Sequence, residues 1–385
     1  MSTLVTTPAD LTALGFHGSY QAEDVTFLLQ LSQVEPIDVQ QKEQLIQSGQ
    51  KHYSQMISQE APPSNQHWQY YQYALSQSTA RLSQDIQALA HSLQRRFQQT
   101  EIVLVSLVRA GVPLGVLLKH CIAKDQPCVH YAISIIRDRG IDIAALQAII
   151  EVHGAESIVF VDGWTGKGAI CQELTQSVKH YPALFDEGYD IPRLVTLTDL
   201  GGYAWLSASC DDWLIPFGML GGVISGLTSR SLLLQDIDPI LARQNPLNTQ
   251  YWHQCMLYSH LSLYDQSRDF ITKILMHVQQ HPVATDSYCH WSEQKRLQQQ
   301  SESQAVLDWI QSNYQIEDVN RIKPGLAEAT RAVLRRVPER ILVKDLQHPH
   351  LKLILHFAKQ HGINVEVSCH LGPYLAITII KKMRK

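Results

Sequence analysis

The stretch Ser157 to Ile170, SIVFVDGWTGKGAI, has the residue types needed to hold an anion beside a hydroxyl-bearing group. Four apolar β-formers, Ile158 to Val161, run into Asp162. A turn of Gly163, Trp164, Thr165, Gly166, Lys167 and Gly168 follows, and an amphipathic run begins at Ala169. Strand, tight turn and helix in that order point backbone N–H groups of a helix N-terminus at an anion. Thr165 would add a hydroxyl and Lys167 a charge, while Asp162 at the strand's end would hold ligand hydroxyls. A nucleotide-binding Walker loop is excluded, because Val161 stands at the first glycine position and Gly168 follows the lysine. The dinucleotide fingerprint fails as well, since the glycines fall at 163, 166 and 168.

A second stretch, VSLVRAGVPLG from Val105 to Gly115, places one cation, Arg109, beside the small residues Ala110 and Gly111 after an apolar run. A third, Ile136 to Asp142, carries Arg137 and Arg139 with Gly140 as a hinge. Asp211 to Pro216 and Ser225 to Arg230 are candidates to line a neighbouring pocket. Cys171 lies near the start of the helix after the glycine turn, where a helix dipole would lower a thiol pKa. His277 and His281, with Cys289 and His290, have a spacing at which a metal is imaginable.

The elements that must position these residues alternate. Apolar runs at 102–108, 129–135, 158–162, 193–198 and 213–216 read as strands. Amphipathic segments at 80–97, 114–123, 143–152 and 169–180 read as helices between them. That alternation predicts an α/β fold with a doubly wound parallel sheet, whose ligands bind at the carboxyl ends of the strands. Arg109, Asp162 and Asp199 all fall just past such ends. Residues 1–78 read as a helical lead-in, and 293–317 as a linker or exposed helix. Residues 318–385 read as a second, smaller α/β domain, leaving 1–292 as the main one with its core at about 80–235.

Hydrophobic residues make up 45% of the 385 and charged ones 18%, which excludes a disordered chain. The longest uncharged run, Trp213 to Ser229, is broken by Pro216 and glycines, so no membrane span is expected. The amino terminus lacks the marks of a signal peptide, and seven scattered cysteines without a C-x-x-C suit a reducing cytoplasm. The net charge of −4 hides an asymmetry. Residues 318–385 hold 13 Lys/Arg against 5 Asp/Glu, a balance of +8, which leaves −12 for the rest. A basic tail on an acidic body suggests a polyanion partner.

The Asp162 stretch resembles the phosphoribosyl-pyrophosphate (PRPP) loop of type I phosphoribosyltransferases, and Arg109-Ala110-Gly111 their pyrophosphate loop. Two departures stand out: one acid where that family has an adjacent pair, and a shorter spacer before Thr165. The resemblance implies a phosphoribosyltransferase-like fold, PRPP with its Mg²⁺ as ligand, and an inverting displacement of pyrophosphate by an unidentified base-like acceptor. It casts Asp162, Arg109, Arg137 and Arg139 as catalytic. Gly163, Thr165, Gly166, Lys167, Gly168 and Ala169 would bind the sugar phosphate. No metal would be held by the protein alone.

Lys323 to Asp345, KPGLAEATRAVLRRVPERILVKD, is similar to the Pelota/L7Ae-type RNA-binding fold. Gly325, Glu328, Thr330 and Arg331 match its turn and helix start, with Ala327 in place of an Asn. The resemblance implies RNA contact by these residues together with Lys323, Arg335 and Arg336. Over nearly its whole length the sequence resembles a bacterial family of phosphoribosyltransferase-like proteins from tellurite-resistance and stress-response clusters, also catalogued as StiP-type cysteine protease. The family resemblance leaves three functions in play: an active PRPP-dependent transferase, a catalytically idle PRPP-sensing RNA binder, and a cysteine peptidase. No membrane partner is expected, and a homodimer is left open.

Overall fold

The computed structural model describes residues 7–98 and 100–382; part of the amino-terminal stretch discussed above lies outside them. Six parallel strands form the central sheet: β1 (Thr26–Phe27), β2 (Ile102–Leu107), β3 (Cys128–Ile133), β4 (Ile158–Thr165), β5 (Leu194–Asp199) and β6 (Leu206–Ser209). Their order is β1-β3-β2-β4-β5-β6, so the chain reverses direction across the sheet beside β2. Side chains alternate between two cores. Leu104, Val159 and Val161 pack on one face under helices α1 (Asn65–Phe97), α2 (Gly111–Ile122) and α5 (Ser267–Gln280). Val103, Val105, Ile158 and Phe160 pack on the other, under α3 (Ile143–His153) and α4 (Ala169–Val178). Burial on both faces is why these strands read as continuous apolar runs.

Three expectations need correction. The lead-in contributes a strand, since Thr26 and Phe27 pair with Tyr131 and Ala132 at the sheet's edge. The helix expected from residue 80 begins at Asn65, capped by Ser64 accepting from the His67 amide at 3.2 Å, and buries Tyr71, Ala74 and Leu75 along its first half. Residues 213–216 are no strand: Trp213 and Ile215 enter the core as irregular chain and Pro216 starts a single helical turn, while Leu206–Ser209 pairs with β5. A short apolar run alone does not separate buried strand from buried loop.

The carboxyl-terminal region holds a four-stranded sheet in the order β7-β10-β8-β9, from β7 (Ile322–Pro324), β8 (Pro338–Val343), β9 (Asn364–Val367) and β10 (Ala376–Ile380). The stretch expected as linker or exposed helix is α6 (Glu293–Asn313). One of its faces is buried, with Val306, Leu307 and Ile310 in a core shared with Leu342 and Ile377. Helix α7 (Leu326–Arg335) and α8 (Lys352–His361) complete this smaller domain. Among the described residues no helix is long and apolar enough to cross a membrane.

The two parts are fastened by polar contacts at the carboxyl edge of the central sheet. Asp212 accepts the Leu326 amide at 2.9 and 3.0 Å and the Leu375 amide at 2.7 Å, so a carboxylate of the main domain caps the N-terminus of α7. In the opposite sense Lys167 Nζ donates to the Val319 and Ile322 carbonyls at 2.5 and 3.3 Å. Removing the Asp212 side chain leaves two buried amides without their partner, a loss of about 2–3 kcal/mol. We therefore expect Asp212→Ala to lower Tm and to speed amide exchange at Leu326 and Leu375 ahead of the central sheet. Unchanged exchange at both positions would remove this fastening from the account.

Candidate functional site

A cleft of about 1230 Å³ opens between the carboxyl edge of the central sheet and the smaller domain. Twelve Lys/Arg and five Asp/Glu line it, a strong positive bias in a chain of net charge −4. Its floor is the end of β4 and the turn after β2. Gly111 is required there, because a Cβ would lie 2.1 Å from the Val161 carbonyl oxygen, so the start of α2 packs directly on β4. That packing brings Arg109, Ala110 and Asp162 to one place, as their chain order suggested. The Val108–Arg109 peptide is cis.

Arg109 is buried and its guanidinium is shared between two segments. Nη1 donates to the Thr228 carbonyl at 2.8 Å and Nη2 to Glu60 Oε2 at 2.6 Å. Glu60 Oε1 accepts the Gly222 amide at 2.6 Å. Burial would raise this carboxyl, but Arg109 and then Arg335 outweigh it and hold it down at about 2. Glu60 was missed in the sequence because it lies in a loop before Ala61-Pro62-Pro63 with no motif around it. Arg230, from the segment flagged as pocket lining, donates to the Tyr53 carbonyl at 2.6 Å and to the Met56 carbonyl.

The glycine turn is occupied by protein. The Thr165 hydroxyl donates to Asp199 and accepts the Gly201 amide at 2.9 Å. Asp199 also accepts the Gly202, Tyr203 and Ala204 amides at 2.7–2.9 Å, which makes it a loop-holding residue. Tyr374 donates to the Gly166 carbonyl at 3.1 Å. Glu328 stands over Gly166 so closely that a Cβ there would come within 2.5 Å of its Oε2. Tyr203 packs on Gly168 in the same way, at 2.2 Å from a built Cβ. Lys167, tied to the smaller domain's carbonyls, is pushed down to about 7 by burial and by Lys323.

The loop expected to supply mobile cations is a short antiparallel hairpin, Ile135–Ile136 against Gly140–Ile141. Arg137 reaches across to Asn320 Oδ1 at 2.9 Å, whereas Arg139 turns outward to Asp236 at 2.9 Å. From α7, Arg331 lies over the Trp164 ring at 5.2 Å and its Nε is buried without a hydrogen-bond partner. Arg335 comes within 3.5 Å of Glu60. Arg336 donates to Glu43 Oε2 at 2.8 Å, and Lys323 stands 3.5 Å from Glu328. Gly325 and Thr330 are buried: Gly325 lies beside Leu200, and Thr330 has no exposed atom to offer. Gly325, Glu328, Arg331, Arg335 and Arg336 thus face the main domain.

The seven cysteines are free thiols. Cys171 lines the cleft but is 5% exposed, and burial, then Asp199 and Asp162, push its thiol well above the ordinary range rather than below it. Among the described residues no cysteine sulfur is hydrogen-bonded to a histidine, and no cluster of three or more His, Cys, Asp or Glu could hold a metal. The His277 and His281 ring centres lie 4.3 Å apart with the rings tilted by 37°.

A family profile described as "Tellurite-like stress resistance cysteine protease StiP" matches residues 18–275. One described as "PELOTA RNA binding domain" matches residues 301–382. A curated protein of Acinetobacter baylyi, named "Cysteine protease StiP", is 49% identical over 377 residues, covering 96% of each chain. No solved structure matches the chain. These findings overturn the expectation of a PRPP-dependent transferase, since they describe the family as a cysteine protease and none names a phosphoribosyltransferase. PRPP and a base-like acceptor receive no support, and neither does the phosphoribosyltransferase-type assignment of the fold. The site supplies a physical reason: the turn that would cradle a sugar phosphate is covered by Glu328, Tyr374 and Tyr203, and its hydroxyl and ammonium are engaged by protein.

Asp162 gives a test by pH. Among the described residues its carboxyl accepts only the neighbouring Gly163 amide, at 2.7 Å, and it faces Arg331 and Glu328. Burial raises it to about 7, with Gly163 and Arg331 only partly offsetting that. A carboxyl raised on folding carries a penalty that is absent below the unfolded value near 4. The penalty grows as pH rises from about 4 to about 7 and is full above that. Asp162→Asn is therefore expected to be neutral at pH 4 and to stabilise on the order of 2 kcal/mol at pH 8, net of the lost attraction to Arg331. Chemical denaturation at the two pH values measures it, and equal ΔΔG at both would refute the shift.

Proposed function

The chain belongs to the StiP family of tellurite-like stress-resistance proteins, and from that premise we propose that it binds RNA, with both domains sharing the strand's phosphates in the cleft between them. The observation that carries this reading is the charge of the cleft. Twelve cationic side chains gather there in a molecule whose main domain is acidic. Arg331, Arg335 and Arg336 come from the Pelota-type helix; Lys42, Arg109 and Arg230 come from the main domain. Cations from two domains around one groove suit a backbone of repeating phosphates, where affinity arises from counterion release. The match to a Pelota RNA-binding domain supports the nature of the polyanion.

Each single-strand phosphate neutralised contributes roughly −0.7 to the slope of log affinity against log salt. We expect Arg331→Ala/Arg335→Ala to weaken RNA binding about tenfold or more at moderate salt and to flatten that slope by roughly 1.4. Filter binding over a salt series measures both. An unchanged slope would place the RNA elsewhere on the protein.

A second reading follows from the relatives' printed name and from one observation, that Cys171 lies in the lining of this same cleft at the first turn of α4. A cysteine peptidase needs a thiolate and a base beside it. Burial in the main domain's apolar core disfavours the Cys171 thiolate, so activity would require that core to open around the first turn of α4. On this reading Cys171→Ala abolishes hydrolysis of a mixed peptide library, and iodoacetamide labels Cys171 in step with the loss of activity. Cleavage that survives the substitution eliminates Cys171 as nucleophile.

A further inference from the structure

The guanidinium groups of Arg109 and Arg335 meet at Glu60, 2.6 and 3.5 Å away, and those of Arg230 and Arg331 line the same cleft. Burial first, and neighbouring arginines after it, hold Arg230, Arg331 and Arg335 below their ordinary basicity, whereas Glu60 outweighs burial and raises Arg109. Their own counter-charge is small. Among the described residues Glu60 is the one acid ion-paired with them, at 2.6 Å from Arg109 and 3.5 Å from Arg335, and both its oxygens already accept hydrogen bonds. Glu43 is taken by Arg336. Asp162, the next carboxyl, lies toward Arg331. Buried charge without a partner is costly, on the order of several kcal/mol per ion, so this cluster is incomplete in its own side chains.

The donors that remain identify what would complete it. Arg230 uses its hydrogens on the Tyr53, Met56 and Ser231 carbonyls, which makes it a fixed background charge. Arg109, 5% exposed, has a buried Nε with no hydrogen-bond partner, and so does Arg331. Both line the cleft. The Arg331 guanidinium lies over the Trp164 ring at 5.2 Å, and Arg335 adds donors beside its long contact to Glu60. Planar forked donors of this kind match the oxygens of a phosphate. A surplus of cations around a single carboxylate matches a dianion better than the single charge of a backbone phosphodiester. A phosphomonoester carries about −1.5 to −2 at neutral pH.

We propose that Arg109, Arg331 and Arg335 form a site for a phosphomonoester, the terminal phosphate of an RNA strand or of a small phosphate ester, composed of residues from both domains. The proposal rests on the anion-binding cleft described above and adds to it recognition of an end. Two arginines from α7 and one from the turn after β2 hold the dianion, while Trp164 orients Arg331 and Glu60 orients Arg109. The site exists only while α7 is docked, so occupancy ties the two domains together.

The experiment uses the full-length protein in two arms. In the first, inorganic phosphate is titrated against chloride of matched ionic strength and Tm is recorded. In the second, one RNA sequence carrying 5′-phosphate, 3′-phosphate or hydroxyl ends is titrated by fluorescence anisotropy. Phosphate should raise Tm, and an end-phosphorylated RNA should bind about tenfold tighter than its hydroxyl-ended twin, as expected for charged hydrogen bonds. Both effects should vanish in Arg331→Gln and in Arg335→Gln. Melting in chloride alone reports whether each variant is folded, and Arg331, which makes no hydrogen bond through Nε, is the milder change. A Tm indifferent to phosphate together with equal affinity for all three RNA ends overturns the site, and RNA binding of any strength then leaves the shared-cleft reading standing. Phosphate stabilisation with no RNA binding supports the site for a small ester and removes the RNA reading. A phosphate effect that persists in both variants overturns the assignment to these arginines.

Discussion

The carboxylate of Asp212 receives the first amide of α7 and the amide of Leu375, and everything distinctive about the cleft depends on that bond set. It fixes the N-terminus of one helix of the smaller domain at the carboxyl edge of the central sheet. From there α7 runs over the ends of β2 and β4, so that Arg331 reaches Trp164 and Arg335 reaches Glu60. Lys167 acts in the reverse direction, giving its ammonium to the Val319 and Ile322 carbonyls. Both side chains of the main domain thereby satisfy backbone groups of the smaller one, and Tyr374 in return donates to the Gly166 carbonyl at 3.1 Å. Arg296 strengthens the join from α6, donating to the Gly202 carbonyl at 3.2 Å and to Asp190 at 3.0 Å. Backbone groups paired in this way leave little freedom in register, because displacement strands several buried donors at once.

Charge explains why the domains attract one another without cancelling the cleft. The smaller domain carries +8 and the remainder −12, so docking is favourable over the whole surface. Simple neutralisation would place acids opposite the α7 arginines. Instead the main domain presents Lys42, Arg109 and Arg230 at that point, and its acids there are Glu60, already bound to Arg109, Glu43, bound to Arg336, and Asp162, which faces Arg331. Burying like charges together opposes folding, and the Arg109–Glu60 pair is what makes it tolerable; removing one partner from such a pair typically costs about 3–5 kcal/mol. Stability alone would not select this arrangement over apolar residues of similar size.

Alternating core burial made the central strands legible, since β2, β4 and β5 face two apolar layers and carry few polar residues. Arg109 and Asp162 were legible too, because strand ends in a parallel sheet collect ligand-facing groups. Glu60 and Asp212 were not. Both lie in irregular chain, and their roles depend on partners distant in sequence, Arg109 for one and Leu326 and Leu375 for the other. The first half of α1 was hidden by its many glutamines, and Trp213 was misassigned to a strand because its burial comes from loop packing. In the smaller domain the spacing Gly325, Glu328, Thr330, Arg331 was legible as a motif, yet its orientation toward the main domain was not. Helical periodicity fixes which residues share a face, and only tertiary contacts decide what that face meets.

The glycine turn after β4 shows the same ambiguity at the level of chemistry. Small residues and a helix N-terminus make a corner that accepts any anion of the right size, and a glutamate carboxylate qualifies as well as a phosphate does. In the sequence the two cases are indistinguishable, because the feature selected is close approach, and Gly166 permits that approach to Glu328 as readily as to a ligand. What separates them is the fate of the accessory groups. A phosphate seat keeps its hydroxyl and its ammonium directed at the seat. Here Thr165 is turned to Asp199 and Lys167 to the smaller domain's carbonyls. The turn has become a joint between domains. The cations of the cleft stand beside it, on guanidinium groups of both domains that the joint itself brings together.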